Sequence, residues 1–191
     1  MRLRRTFFVA FAVPTILLTV GANIAGAAGA QGAAKGTIKC TSFTGTVTFK
    51  PPLVPGTATT TKEKETSSNS TLGGCVTTPS GGPSSASGVK EKPTKLASNA
   101  CSALESTSST GASFTIAWPG ISASKVTFTG AAQTATGYSL SGGTVKGSYA
   151  TTNATATIVI APASITAISQ CISGKGGAIT SISITGGSMN L

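Results

Sequence analysis

The stretch from Gly36 to Leu53, GTIKCTSFTGTVTFKPPL, alternates apolar and polar residues, and this alternation limits what the chain can fold into. Ile38 and Cys40 share one face of an extended chain, and Val47 and Phe49 share one face further along. A period of two residues is typical of a β-strand with one buried face. The two prolines that follow cannot donate ladder hydrogen bonds, and they are expected to end the strand.

Further alternating segments follow from residue 112 to the end of the chain. Phe114, Ile116 and Trp118 alternate with small or polar residues, and Pro119-Gly120 then favours a turn. We expect about eight to ten strands, spaced by turns. The pattern predicts an all-β fold, either an antiparallel sandwich or a partly open barrel, stabilised by disulfides.

Three local patterns give more specific expectations. Gly142-Gly143 lies between two alternating runs and predicts a two-residue hairpin turn that pairs Leu140 with Val145. The apolar segment Ile165–Ile172 is interpreted as a strand. Lys95–Ser106 is the segment in which a helical turn is predicted, because its apolar residues recur every four positions.

The N-terminus has the pattern of a secretory signal. Met1–Arg5 is basic, Thr6–Val20 is apolar, and small residues follow at Ala25-Gly26-Ala27 and Ala28-Gly29-Ala30. We predict a signal peptide over residues 1–27, with cleavage allowed up to residue 30. A retained anchor is disfavoured because the apolar run is shorter than the roughly 20 residues of a membrane span. No transmembrane segment is predicted in the mature chain.

Cleavage after Ala27 leaves 164 residues, which suit one domain with a single core. Residues 28–35 are mostly small and are predicted to form a flexible N-terminus. Residues 36–191 are predicted to form a single all-β domain. The segment near 77–88, TTPSGGPSSASG, is expected to be a long loop inside that domain.

The chain has four cysteines, which in an exported protein predict two disulfides. Four cysteines allow three pairings, and sequence alone does not choose among them. We favour Cys40–Cys75 and Cys101–Cys171, since each pair closes one block of the chain. The spacing contains no CxxC pair and the chain contains no histidine, which disfavours zinc and thioredoxin-like redox sites.

The acid–base inventory is poor for catalysis. The chain has no histidine and no aspartate, so the usual triads and metal sites lack their parts. Three of its four glutamates, Glu63, Glu65 and Glu91, lie beside lysines, and Glu105 stands alone. We predict a protein that is not an enzyme and has no catalytic residue, metal or cofactor; a carbohydrate-active hydrolase is the least favoured alternative.

The predicted mature chain is cationic, with eleven lysines, four glutamates and no arginine. Dispersed lysines without arginine do not favour nucleic-acid binding. The sequence leaves the partner open; an anionic cell-wall polymer or a polysaccharide is the candidate, because attraction to an anionic surface needs only net charge. Tyr138, Tyr149 and Trp118 are the candidate ligand contacts, as a stacking platform for sugar rings; the alternative is that they are core residues.

The run Thr57–Thr66 has no apolar face, and it predicts a solvated edge strand. An exposed strand edge can recruit a partner chain. This gives the alternative function, an interaction or assembly subunit that acts through this edge.

The cysteine order, the strand Gly45–Leu53 and the strand that ends in Trp118 resemble those of a loose group of uncharacterised exported β-proteins from actinobacteria. The resemblance implies secretion, disulfides and a β fold, and it carries no functional residue across. We therefore expect a cationic, non-enzymatic binding or structural module, secreted or associated with the cell envelope after signal-peptide cleavage.

Overall fold

The computed structural model describes residues 32–57, 63–92, 94–96, 98–106 and 112–191, with side chains left undescribed at 63–69, 94–96 and 105–106. The predicted signal peptide and the first residues of the predicted flexible N-terminus lie outside these ranges. The strands are β1 (Thr37–Leu53), β2 (Glu63–Thr78), β3 (Ala86–Glu91), β4 (Thr94–Leu96), β5 (Ser113–Ala117), β6 (Ser124–Thr127), β7 (Gly130–Thr134), β8 (Gly137–Gly147), β9 (Ala154–Ile160) and β10 (Ile179–Asn190). The helices are α1 (Ala103–Ser106) and α2 (Pro162–Ile172).

Eight of these strands form a closed antiparallel barrel in the order β1-β10-β9-β8-β6-β5-β3-β2, and β2 pairs again with β1. Barrel neighbours follow one another along the chain apart from β4 and β7, which pair with β2 and β8 at its margin. The last strand, β10, pairs with the first and closes the circle. The expected all-β class is therefore confirmed, and the architecture is a closed barrel rather than a sandwich or a partly open one.

Strand β1 contributes to two ladders along most of its length. Its residue Val47 lies opposite Ile182 of β10 and opposite Ser67 of β2. The strand runs through both prolines to Leu53, which differs from the expectation that they end it. The ladder with β10 is nevertheless irregular between Thr48 and Leu53, so it is interrupted where no proline amide can donate.

The predicted exposed edge is paired on both sides at Lys64 and Glu65. Residues 63–66 belong to β2, and Glu65 lies opposite Phe49 on one side and Thr94 on the other. Residues 58–62 of the predicted edge lie outside the described ranges. The prediction of a solvated edge was therefore wrong for Lys64 and Glu65, because short-range sequence patterns do not show that β4 folds back onto β2. Assembly through the rest of this run stays a prediction.

The predicted hairpin at Gly142-Gly143 was also wrong. These glycines lie inside the continuous strand β8, where Gly143 is opposite Ala154 of β9. The hairpin instead joins β7 to β8, with Thr134 opposite Gly137. A side chain on Gly143 would begin 2.6 Å from the Ala154 Cβ and 2.8 Å from the Phe128 ring, so this glycine allows two strands to approach closely.

The segment predicted as the strand Ile165–Ile172 forms most of helix α2. Pro162 stands in its first turn, where a missing amide hydrogen costs nothing and the fixed φ angle favours a helix. The predicted helical turn within Lys95–Ser106 is present as the single turn α1. The first two residues of that segment, Lys95 and Leu96, belong to β4 instead.

Apolar side chains fill the barrel in two connected clusters, which we name the main core and the helix-end core, and β9 contributes to both. Ala154 and Ala156 belong to the main core, Ile160 belongs to the helix-end core, and Ile158 packs against both. The main core also holds the aromatic residues Phe43, Phe114, Phe128, Trp118 and Tyr149. The helix-end core combines the C-terminal half of β1 and the N-terminal half of β10 with residues of α1 and α2. Its members include Phe49, Leu53, Leu104, Cys171 and Ile182.

The two disulfides join Cys40 to Cys75 and Cys101 to Cys171, which are the pairs favoured from the sequence. The first connects directly opposed residues of β1 and β2. The second connects α2 to the residues just before α1. Two disulfides are typical of proteins that work in an oxidising compartment.

Two segments are predicted from the sequence to lack regular structure, and each is partly ordered in the described residues. The loop predicted near 77–88 is confined to residues 79–85, between β2 and β3. In the predicted flexible N-terminus, the Ala34 amide donates to the Ser148 Oγ at 3.0 Å, and its carbonyl accepts from the Tyr149 amide at 2.8 Å. Ala34 is therefore anchored to the barrel.

The variant Gly143→Ala tests whether Gly143 lies inside a strand or in a hairpin turn. We expect a loss of about 1–3 kcal/mol in the free energy of unfolding, because the new methyl group overpacks the contact with Ala154 and Phe128. The measurement is urea unfolding followed by tryptophan fluorescence. Gly177→Ala is the control, since that position has open space, and a change within about 0.5 kcal/mol is expected. A neutral Gly143→Ala would contradict the observed register.

Candidate functional site

A cleft lies at the helix end of the barrel, between α2 and the β7–β8 hairpin. Its volume is about 60 Å³, and the empty space is about 410 Å³ when the part open to solvent is included. Ten residues line the cleft: Leu104, Gln133, Thr134, Ala135, Gly137, Tyr138, Ile160, Ile165, Ile168 and Ile172. Binding sites for small molecules are usually concave and mainly apolar with a few polar groups, and this cleft has that composition.

Helix α2 forms one wall of the cleft. Ile165, Ile168 and Ile172 recur at three- and four-residue steps, so they share one helix face. All three are half-buried, whereas Cys171 is fully buried where its disulfide joins Cys101. The apolar face of α2 therefore remains partly exposed, and the open space of the cleft lies beside it.

Contacts with the barrel fix the start of α2. The Ala161 amide donates to the Ser183 carbonyl of β10 at 2.8 Å. The Ser183 amide donates in turn to the Ser164 Oγ at 3.1 Å. Together with the disulfide at its other end, these bonds hold α2 across the end of the barrel.

The β7–β8 hairpin forms the opposite wall. The Thr136 carbonyl in its turn accepts a hydrogen bond from the Ile160 amide at 2.8 Å, which joins the turn to the end of β9. Tyr138 is half-buried against the helix-end core. Gln133 and Thr134 are exposed and place an amide and a hydroxyl at the rim. The cleft therefore has an apolar floor and a polar, uncharged rim.

The ten lining residues include no histidine, carboxylate, lysine or cysteine thiol. Histidine, carboxylate, lysine and thiol groups are the usual acid–base catalysts and metal ligands, and the acid–base group that this lining does hold is the Tyr138 hydroxyl. In the described part of the chain, no group of three or more His, Cys, Asp or Glu residues is placed to hold a metal ion. The side chain of Glu105, the candidate carboxylate for a hydrolase, lies outside that part.

The three aromatic residues predicted as ligand contacts do not form one surface. Tyr138 lines the cleft. Trp118 and Tyr149 are only 5% and 2% exposed, and they pack edge to face at 5.6 Å between ring centroids, inside the main core. A sugar ring cannot stack on rings that are buried against each other. The predicted common stacking platform is therefore absent, and Tyr138 is the one of the three that lines the cleft.

Hydrogen bonds hold Trp118 in place. Its Nε1–H donates to the Ser124 Oγ at 2.8 Å, and Ser124 donates to the Ser148 carbonyl. The Ser148 Oγ accepts from Ala34, so this buried chain of bonds reaches the N-terminal segment. Buried indole and hydroxyl groups need such partners, which makes this a structural cluster.

Sequence reasoning missed the isoleucines of α2. Their spacing contained the signal, because Ile165, Ile168 and Ile172 match a helical period and Pro162 precedes them at a favourable position. The high β-propensity of isoleucine favoured the wrong element.

Comparison with known proteins found no matching family model, curated protein or solved structure. Neither helix in the described residues is long and apolar enough to cross a membrane.

Tyr149 provides a test of the main core. Burial raises the pKa of its hydroxyl, so the folded state favours the protonated form. The resulting contribution to the free energy of unfolding is fully present below the unfolded pKa, near 10. It is lost as the pH rises through the folded pKa. We expect wild-type protein to lose more unfolding free energy than Tyr149→Phe between about pH 9 and pH 11. Parallel curves from urea unfolding at each pH would contradict the burial of this hydroxyl.

Proposed function

We propose that this protein is a secreted or envelope-associated, non-enzymatic binding module whose ligand site is the cleft between α2 and the β7–β8 hairpin. The observation that carries the proposal is the partly exposed isoleucine face of α2 beside an open cleft at one end of a closed barrel. Eight-stranded barrels have interiors that are either filled by side chains or able to hold one small ligand. In this chain apolar side chains fill the interior at both ends, and the cleft lies beside the helix-end core, between α2 and the β7–β8 hairpin.

The lining defines the chemical class of the ligand. Six aliphatic side chains and Tyr138 favour an apolar group, and the absence of charge among the ten lining residues favours a neutral molecule. Gln133 and Thr134 can hydrogen-bond a polar end group at the rim. The proposed ligand is a small neutral amphipathic molecule, such as an aliphatic alcohol.

Export is supported by two features. The N-terminal sequence has the charge and apolar pattern of a secretory signal, and the disulfides are of the kind that persist outside the cytosol. The resemblance to exported actinobacterial β-proteins is consistent with this location. The non-enzymatic part of the proposal is supported by the uncharged lining of the cleft.

Titration with straight-chain alcohols from hexanol to decanol tests the site, with two-dimensional amide NMR as the measurement. We expect shifts confined to α2, the β7–β8 hairpin and the end of β9. Ile168→Trp should fill the cleft and weaken binding roughly tenfold or more, because a filled cavity leaves no apolar surface to bury.

Val76→Trp is the matched control, since Val76 is 70% exposed on β2 and does not line the cleft. This variant should bind the alcohols as the wild type does. Shifts spread over the whole barrel, or equal weakening by both tryptophan variants, would refute the cleft as the site.

A further inference from the structure

Three lysines lie in one row across the outside of the barrel. Lys90 of β3 is opposite Thr115 of β5, Thr115 is opposite Lys125 of β6, and Lys125 is opposite Lys146 of β8. Directly opposed residues in antiparallel strands project from the same face. All four side chains are exposed, so this lysine row (Lys90, Lys125 and Lys146) faces solvent.

The row concentrates like charge at one place. Lys125 and Lys146 are directly opposed, an arrangement that destabilises a sheet. Glu91, the acidic residue of the same strand as Lys90, is opposite the buried Phe114 and so belongs to the inner face. No acidic side chain among the described residues of β3, β5, β6 and β8 lies on the outer face with the row.

Hydroxyl groups surround the lysines. Thr115 lies within the row, and a second lateral row next to it consists of Ser113, Thr127 and Thr144. The Ser113 and Thr127 hydroxyls are 3.0 Å apart and hydrogen-bonded to each other. The surface thus combines cationic groups with hydroxyl donors, and both can bind anionic oxygens.

The dimensions of the row suit an extended polymer. Neighbouring strands are about 4.8 Å apart, so the row from β3 to β8 spans roughly 14 Å across the strands. A linear polymer with an anionic group on each repeat can place several charges along it. Lysine binds phosphate as a point charge, and arginine, whose planar fork binds both phosphate and carboxylate bidentately, is absent from this face.

We propose that the lysine row binds a linear phosphate-bearing polymer of the cell envelope. The row has no aromatic side chain on which bases could stack, which argues against single-stranded nucleic acid. It is separate from the cleft, whose lining contains none of these lysines. The two sites can therefore be tested independently.

The experiment measures binding to poly(glycerol phosphate) by fluorescence anisotropy at several salt concentrations. The row variant replaces Lys90, Lys125 and Lys146 with glutamine. The control variant replaces Lys39, Lys50 and Lys175 with glutamine, so it removes the same net charge. These three are exposed lysines on other parts of the chain. Polygalacturonate and an oligothymidylate are compared as a carboxylate polymer and a nucleic acid.

We expect the row variant to bind poly(glycerol phosphate) at least about tenfold more weakly than the control variant. In the row variant, the magnitude of the slope of log affinity against log salt concentration should be smaller by about two. Each lost contact with a single-stranded polyanion removes roughly 0.7 from this magnitude, and three contacts are lost. The wild type should prefer poly(glycerol phosphate) to the other two polymers.

Equal weakening in both variants would mean that only net charge matters, and this would overturn the proposal. Tighter binding to polygalacturonate or to the oligothymidylate would overturn the assignment of the partner. The urea midpoint of the row variant is the folding control. It should equal or exceed that of the wild type, because the opposed charges are gone, whereas a structural role for these lysines predicts a lower midpoint.

Discussion

Pairing of the first strand with both the second and the last is the interaction on which this structure depends. β1 has 17 residues and forms ladders with β2 and β10. Closing the sheet in this way removes the exposed strand edges that an open sheet would present. The disulfide between Cys40 of β1 and Cys75 of β2 covalently joins the two strands of one of these ladders. Without this closure, neither the main core nor the helix-end core would have a complete wall.

The cleft is a consequence of how the closed barrel is filled. Aromatic residues occupy the main core, and the other end receives isoleucines from β10 and from α2. Helix α2 crosses that end and is held there by the Cys101–Cys171 disulfide and by hydrogen bonds to Ser183. A helix of 11 residues covers the opening only in part, so its isoleucines stay half-exposed beside the hairpin.

Much of the local structure could be predicted from the sequence. The alternation around Val47 gave β1, and the blocks of chain between cysteines suggested the two disulfide pairs that the structure contains. The sequence also contains no histidine or aspartate, and among the ten residues that line the cleft the acid–base side chain is that of Tyr138.

What sequence reasoning missed has physical causes. Gly142-Gly143 looked like a turn, but glycine also serves where two strands approach closely, and local sequence does not distinguish these uses. The isoleucines of α2 combine high strand propensity with helical spacing, and packing against the barrel decided in favour of the helix. Closure by β1 and β10 pairs the two ends of the described chain, which no local pattern can reveal. The lysine row likewise depends on register between strands, so lysines dispersed in sequence become neighbours in the sheet.

Two-sided pairing of β1 can be measured directly by NMR, from cross-strand nuclear Overhauser contacts and amide hydrogen exchange in the same sample. The account predicts contacts from Val47 to both Ser67 and Ile182, together with slow exchange along β1 and β10. Contacts from Val47 to Ser67 alone, with β10 exchanging like an exposed edge strand, would show an open sheet and contradict the closed barrel.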